Sequence, residues 1–571
     1  MNLDRQARRI SRRQFLRAAA MASVSLAALS QLVACSQPTP PASGPTPAGQ
    51  APGGAPTTAP AAAPTQAPAA PAATQAPAVV STPAAAPSAG APKRGGTLRV
   101  ATLALPTVID PHKTAGQHEW SISQAMFNNL VRTNQKLEPV PELAESWEGT
   151  EDSKAWTFKL RKGVKFHHGR ELDADDVVAT FKRIADPETA SPARSVFALV
   201  DSVEKVDPLT VRFHLNTAYV DFPTRLGSHW GRIVPRDKLD TLGTAPVGGG
   251  PFKFKEFRPG DQVAVERFDG YWEQGADGQP LPYLQEVRFI GVAEMSSQIS
   301  GLTSGSLDYL NEISPEVLAP LSGNPQFQVF EIPSPAFQEV NMRVDLEPFK
   351  DNRVRLALKH LVDRQGMLTG VLQGHGVIAA DSPIPPVSPY YTPIDPLPFD
   401  VEKSKALLAE AGYPNGIDLE LVAVSGIAGL DQFAVLYAEM AKAAGVRIKL
   451  RKTPFDVFMG QDFTKAPLTT GQWNGRAHVD ELLALVYESG GAWNEAHLEN
   501  KKLDELLVKA RSERSVEGRK AIYADVAKLF RDEGPIVTPY FVNYLSAGRA
   551  NMKGFEPHPI RWSDFRSTWL A

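Results

Sequence analysis

Trp156-Thr157-Phe158-Lys159-Leu160 and Val211-Arg212-Phe213-His214-Leu215 alternate apolar and polar side chains. A period of two turns one face of each segment to a core and the other to solvent, so both predict half-buried strands. Between them the period lengthens. Asp173, with Asp176 three residues on and then Val177, Val178 and Phe181, predicts a helix capped by Asp173 and buried along that stripe. Upstream, Gly95-Gly96 leads into Thr97-Leu98-Arg99-Val100, a turn and then a strand. Residues 129–247 therefore mix short alternating strands with helices.

Residues 400–450 carry another pattern. Asp400 starts a helix through Leu407, Leu408 and Ala411 that Gly412 stops. Asn415-Gly416 turns the chain into a strand, Ile417 to Val424; a second helix runs to Ala444 and ends at Gly445; Val446 to Leu450 is the next strand. Strand, helix and strand at this spacing form a βαβ unit, which places a largely parallel α/β sheet here. Asp504 to Phe530 predicts an amphipathic helical run, and aromatic-rich segments close the chain. No internal repeat is visible.

The first ninety residues belong to none of these patterns. Ser11-Arg12-Arg13-Gln14-Phe15-Leu16-Arg17 matches the twin-arginine export pattern, and the uncharged run from Ala18 to Ala34 is too short and too weakly apolar for a stable membrane span. Leu32-Val33-Ala34-Cys35 looks like a bacterial lipobox, and Cys35 is the single cysteine of the chain. Residues 1–34 are thus expected to be a twin-arginine lipoprotein signal peptide, with Arg12 and Arg13 as its export signal and Cys35 as the lipidated residue. Residues 35–94 are expected to be the lipidated cysteine and a disordered Ala/Pro-rich tether. Ser36 to Pro92 holds no charged residue and too little apolar surface to offset the entropy of ordering. The expected location is extracytoplasmic, anchored to the cell membrane through Cys35.

Charge and chemistry narrow the function. The formal net charge is -3 although residues 1–34 contain six arginines, so the remainder is mildly acidic, which argues against a nucleic-acid partner, since that would need a basic face. One cysteine excludes a disulfide framework or a zinc site built on cysteines. No G-x-S-x-G elbow, phosphate-binding G-x-x-x-x-G-K-[ST] loop or H-E-x-x-H helix occurs. His167-His168 sits in a polar stretch after a strand, and because adjacent histidines on a strand point to opposite faces the pair is expected to make a poor chelate. Asp173, Asp175 and Asp176 are explained by helix capping. Gly248-Gly249-Gly250 reads as a backbone crossing between domains. No catalytic residue, metal or cofactor is expected, and the chain is read as a binding protein.

Several segments together resemble the family 5 extracellular solute-binding proteins of ABC importers. Pro141-Glu142-Leu143-Ala144-Glu145-Ser146-Trp147 is similar to the family's P-x-L-A-x-S-W motif. Trp156 to Gly169 and Ala174 to Phe181 resemble T-F-x-L-R-x-G-V-x-F-H-x-G and A-D-D-V-x-x-S/T-F. Gly250-Pro251-Phe252-Lys253-Phe254, Tyr271-Trp272, Asn341-Met342-Arg343, Pro348 to Asp351 and Arg353 to Leu358 also fit. The resemblance implies an α/β, two-lobed periplasmic-binding-protein-like fold (type II, cluster C-like) with an extra domain inserted in lobe I. Domain I would comprise 95–128, 248–335 and 535–571; domain II would be 129–247, and domain III, the second lobe, 336–534. It further implies a monomer that captures an oligopeptide or a peptide-like or anionic small molecule and delivers it to ABC permease subunits. A ligand-sensing receptor of the same fold and an extracytoplasmic hydrolase are the alternative functions.

One departure bears on the ligand. Peptide-binding members place an aspartate three residues after a tryptophan, where it pairs with the peptide's α-amino group. Here the segment runs Trp473-Asn474-Gly475-Arg476-Ala477-His478-Val479-Asp480. Arg476 stands in the aspartate's place, and a guanidinium suits a carboxylate or phosphate. Against the family's W-x-G-R-x-D-P-D form, His478-Val479 replaces Asp-Pro. Arg476 is expected either to contact an anionic group of the ligand or to pair with a carboxylate of its own lobe, such as Asp480. Trp473, Trp493 and Asn494 are the neighbouring candidates for the cleft, or, for the tryptophans, for the core.

Overall fold

The computed structural model describes residues 91–571 apart from Ala115. The chain divides into two units, Met1–Thr82 and Pro83–Ala571, and all the described strands and helices belong to the second. Arg12, Arg13 and Cys35 lie outside the described residues.

Two seven-stranded sheets dominate. The first runs, edge to edge, Phe327–Ile332, Tyr544–Arg549, Tyr309–Leu310, Thr97–Thr102, Glu286–Gly291, Gln262–Arg267 and Phe252–Arg258. Thr97–Thr102 is parallel to both of its neighbours, and the outer pairings are antiparallel. The second runs Gly376–Ile378, Tyr540–Val542, Phe337–Met342, Leu468–Trp473, Ile417–Ser425 and Val446–Pro454, with Ile536–Val537 also paired to Phe337–Met342. A four-stranded antiparallel sheet is formed by Ala144–Gly149, Ala155–Leu160, Thr210–Leu215 and Val200–Asp207.

The local patterns account for these elements. In the four-stranded sheet Phe158, Leu160, Val211, Phe213 and Leu215 are buried while Lys159 is exposed. Phe213 packs edge-on against Phe158 at 5.5 Å and against Phe181 at 4.9 Å. Phe181 comes from the helix Ala174–Ala185, whose cap is reciprocal. The Asp175 backbone N–H donates to Asp173 at 3.0 Å, and the Asp173 N–H donates to Asp176 at 3.1 Å. Its buried stripe is Val177, Phe181 and Ile184; Val178 is only half-buried.

The βαβ unit is present: Ile417–Ser425 lies parallel to Val446–Pro454, joined through the helix Leu430–Ala441. Gly445 has φ +77°, and a Cβ on Gly416 would lie 2.0 Å from the Gly445 carbonyl oxygen, so both positions require glycine. The helical run expected over Asp504–Phe530 is two helices, Lys501–Ser512 and Val516–Glu533. Asn500 caps the first, and Ser515 interrupts the run by capping the second through the Gly518 N–H. At Gly248 and Gly250 the backbone meets Met126 so closely that a Cβ would fall 2.0 and 2.5 Å from its backbone atoms.

The chain passes twice between the two large sheets, at 333–336 and at Asn543. The Ser334 hydroxyl donates to the Val542 carbonyl at 2.6 Å, and the Val542 N–H donates to Ala336 at 2.8 Å, so the two crossings are fastened side by side. The second crossing lies eight residues later than the expected boundary at 535. Ile536–Val537 and Tyr540–Val542 first pair within the second sheet, in register Val340↔Val537 and Phe337↔Phe541.

Candidate ligand-binding site

A cavity of about 630 Å³ opens where residues positioned by the two large sheets face each other. From the side of the first sheet come Trp120, Glu312, Leu545 and Arg561, with Trp230 from the core of the four-stranded sheet; from the second come Val424, Gly471, Trp473, Arg476, Trp493 and Glu495. Most of the wall is aromatic or aliphatic, and the polar groups are few, a composition suited to enclosing an organic solute.

Trp473 ends the strand Leu468–Trp473 and is 9% exposed. Its indole N–H donates to Glu339 at 2.9 Å, and its ring stacks on Trp493 with centroids 5.9 Å apart and planes at 21°. Both tryptophans therefore serve the hydrophobic core and the cavity wall at once. Asn494 does not line the cavity. Its amide donates to the Leu498 carbonyl at 2.8 Å and accepts from the Leu498 N–H at 2.9 Å, which closes a loop.

Arg476 lines the cavity with its side chain 7% exposed. Nη1 donates to the carbonyls of Asn474 at 3.0 Å and Gly475 at 3.4 Å, and the guanidinium lies over Trp230 at 6.0 Å. Nε stands 3.5 Å from Glu481; Nη2 makes no hydrogen bond among the described residues. Burial pushes its pKa down, and the charge of Glu481 resists that shift. The cation is thus buried and loosely paired, which leaves it able to accept an anion.

The own-lobe carboxylate beside Arg476 is Glu481, not Asp480. His478 caps the helix Val479–Val486 by accepting the Asp480 N–H at 3.1 Å. Successive helical residues diverge by about 100°, so Asp480 and Glu481 face different partners. Asp480 accepts from Arg511 Nε at 2.8 Å and from Arg225 Nη2 at 2.9 Å.

Arg225 belongs to the helix Phe222–Leu226, which packs with the four-stranded sheet. The contact therefore joins that region to the second sheet's region. Around it, Asp221 lies 3.0 Å from His478 Nε2 and 3.5 Å from Arg519 Nε, and accepts the Tyr390 hydroxyl at 2.7 Å. Burial drives the carboxyls of Asp221 and Asp480 up, but their cationic neighbours outweigh it and both are held below the ordinary range. The loop 473–480 thus faces the cavity at one end and this buried ionic contact at the other.

Several wall residues carry no local sequence signal. Trp120 and Trp230 sandwich His229 at 4.0 and 3.9 Å, and burial together with Arg476 and Arg232 pushes that imidazole well below its usual pKa. Arg561 pairs with Glu312 at 2.8 Å. Glu495 directly follows the candidate Asn494 in the chain, but its acidic neighbour Glu339 lies on a distant strand. His167 and His168 lie in a turn and not in a strand, so turn geometry separates them: His167 bridges the Gly248 N–H and the Gly250 carbonyl, and His168 faces Asp237.

Residues 138–494 match the family model for bacterial extracellular solute-binding proteins, family 5 (middle). A curated relative, heme-binding protein A of Haemophilus influenzae, is 29% identical over 483 residues, covering 78% of this chain and 86% of its own. The solved structure of AgaA from A. tumefacien R10 with agropinic acid is 26% identical, with a TM-score of 0.72 over 83% of this chain and 99% of its own. The periplasmic murein tripeptide-binding protein MppA, solved in an unliganded open form, has a TM-score of 0.68 at 24% identity, over 84% and 97% of the two chains.

Proposed function

The chain belongs to the family 5 bacterial extracellular solute-binding proteins, and from that premise we propose that it captures a solute bearing an anionic group and hands it to an ABC importer. The two large sheets are the centres of two lobes, and the solute sits between them in the cavity of about 630 Å³. Arg476 carries the reading: a buried guanidinium on the cavity wall whose nearest carboxylate stands 3.5 Å away and whose Nη2 is uncommitted among the described residues. The aromatic walls at Trp230, Trp473 and Trp493 hold an apolar body beside that anion. AgaA, which binds an acid, is similar in sequence and fold. Lobe closure excludes water from the site and presents the closed form to the importer. Export through Arg12 and Arg13, lipidation at Cys35 and the uncharged stretch after it would hold a monomeric receptor on the extracytoplasmic side of the cell membrane within reach of the permease.

The test is mass spectrometry of the natively purified protein, intact and after denaturation. The expected outcome is a stoichiometric small molecule with a carboxylate or phosphate. A bound peptide held by its free amine would overturn the assignment of Arg476.

A further inference from the structure

Glu495 lies on the cavity wall beside Trp473, only 4% exposed. The groups acting on its carboxyl are Glu339, Trp473 and Thr469. Those acting on Glu339 are Tyr487 and Trp473. Neither set contains an arginine, lysine or histidine. Two buried acids thus sit together with no cation among the described residues to neutralise them, and such a pair cannot ionise twice.

The hydrogen bonds decide which acid keeps a proton. Glu339 Oε1 accepts the Trp473 indole N–H and Oε2 accepts the Tyr487 hydroxyl, both at 2.9 Å. An indole N–H can only donate, so it favours the carboxylate form of Glu339. Trp473 and Thr469 also act on Glu495, but the single indole N–H of Trp473 is already given to Glu339. Burial pushes Glu339 up to about 7, and burial together with the charge of Glu339 raises Glu495 well above the usual carboxylate range. The wall is thin here: a Cβ on Gly471, itself a lining residue, would lie 3.8 Å from Glu339 Oε1.

We propose that Glu495 meets the solute as a neutral carboxylic acid, donating its O–H to a carbonyl or carboxylate oxygen on the Trp473–Trp493 side of the cavity. The inference rests on the solute-binding role and adds a second recognition group to Arg476. A protonated acid lets an anion approach a buried glutamate without repulsion. Once Glu495 ionises, the donor is lost and a like charge faces the bound anion. Binding should therefore weaken as pH rises, the reverse of what a site for a cationic solute would do.

The experiment titrates indole-3-propionate, a flat apolar body with one carboxylate, by calorimetry between about pH 6 and pH 9. Wild-type affinity is expected to fall about tenfold or more across the alkaline part of that range. E495A should bind about tenfold more weakly at neutral pH, and E495Q, which keeps a donor but cannot ionise, should recover binding and abolish the alkaline loss. E339Q removes the neighbouring charge, so the loss should begin at lower pH; this second variant tests the coupling if changes at Glu495 impair folding. Superimposable profiles for wild type and E339Q or E495Q would overturn the proposal. So would a failure of E495Q to bind where wild type does, because that would make the ionised form the working one. R476A separates this inference from the reading it rests on. Affinity lost in R476A with no Glu495-dependent pH limb removes only the proton-donor role, whereas a normal pH limb with R476A unaffected removes only the anion contact at Arg476.

Discussion

Asp480→Asn removes a charge from the contact between the helix Phe222–Leu226 and the helix Val479–Val486 while preserving its shape. In the wild type, Asp480 is fully buried between Arg225 and Arg511, and Arg225 itself is 4% exposed. Arg511 would keep Glu488, which accepts from both of its terminal nitrogens at 2.7 and 2.8 Å. Arg225 would keep the Tyr219 hydroxyl at 2.9 Å, the field of Glu481 and at most a neutral amide oxygen in place of the carboxylate. A buried charge stripped of its partner costs about 3–5 kcal/mol. If this contact forms as the lobes close, water relieves the orphaned guanidinium on opening, and the penalty falls on the closed state alone. At about 1.4 kcal/mol per factor of ten, the lower end corresponds to a loss of roughly 100-fold in solute affinity. Calorimetry with the solute recovered from the native protein measures the affinity, and small-angle scattering reports whether the unliganded population has become more open. A lower melting temperature with unchanged affinity and scattering would refute the reasoning, because it would place both helices in one rigid body.

Three further outcomes are expected. Arg476→Ala should weaken binding of an anionic solute by about 2–4 kcal/mol, read by calorimetry; unchanged affinity would leave Arg476 a purely structural cation. Asp221 and Asp480 are held low by cations against burial, so their stabilisation is complete above the ordinary carboxylate range of about pH 4 and is lost as pH falls through their lowered values. Affinity measured down an acid series should accordingly hold through mildly acidic pH and decline below it, and the decline should be smaller in Asp480→Asn. Cys35→Ser should shift the protein from the detergent phase to the aqueous phase in a two-phase partition of expressing cells; identical partition would argue against a lipid at Cys35.

Much of the architecture was legible in short stretches of sequence. The alternation at 156–160 and 211–215, the Asp173 cap and the glycine stops at Gly412 and Gly445 each express a local preference of backbone or side chain, and neighbours along the chain suffice to satisfy it. The motifs from Pro141 to Phe181, all local strings, were enough to indicate the family and hence a two-lobed α/β fold. Trp473, Arg476 and Trp493 were visible as candidates because an aromatic–arginine loop departs from a known pattern.

What remained hidden depends on residues that meet only after folding. Trp473 and Glu339 are separated by 134 residues, and Arg225 and Asp480 by 255. No periodicity can pair such groups, because only sheet register and helix phase determine which side chains face one another. The turn at His478 sends Asp480 to Arg225 and leaves Glu481 for Arg476. The register Glu339↔Gly471 sets a buried acid beside a glycine of the cavity wall. The same dependence on register keeps Ile536–Val542 in the second sheet before the chain returns at Tyr544. Local chemistry along the sequence determined the elements and the class of molecule; the tertiary structure decided the charge partners, and with them which buried groups are free to meet a solute.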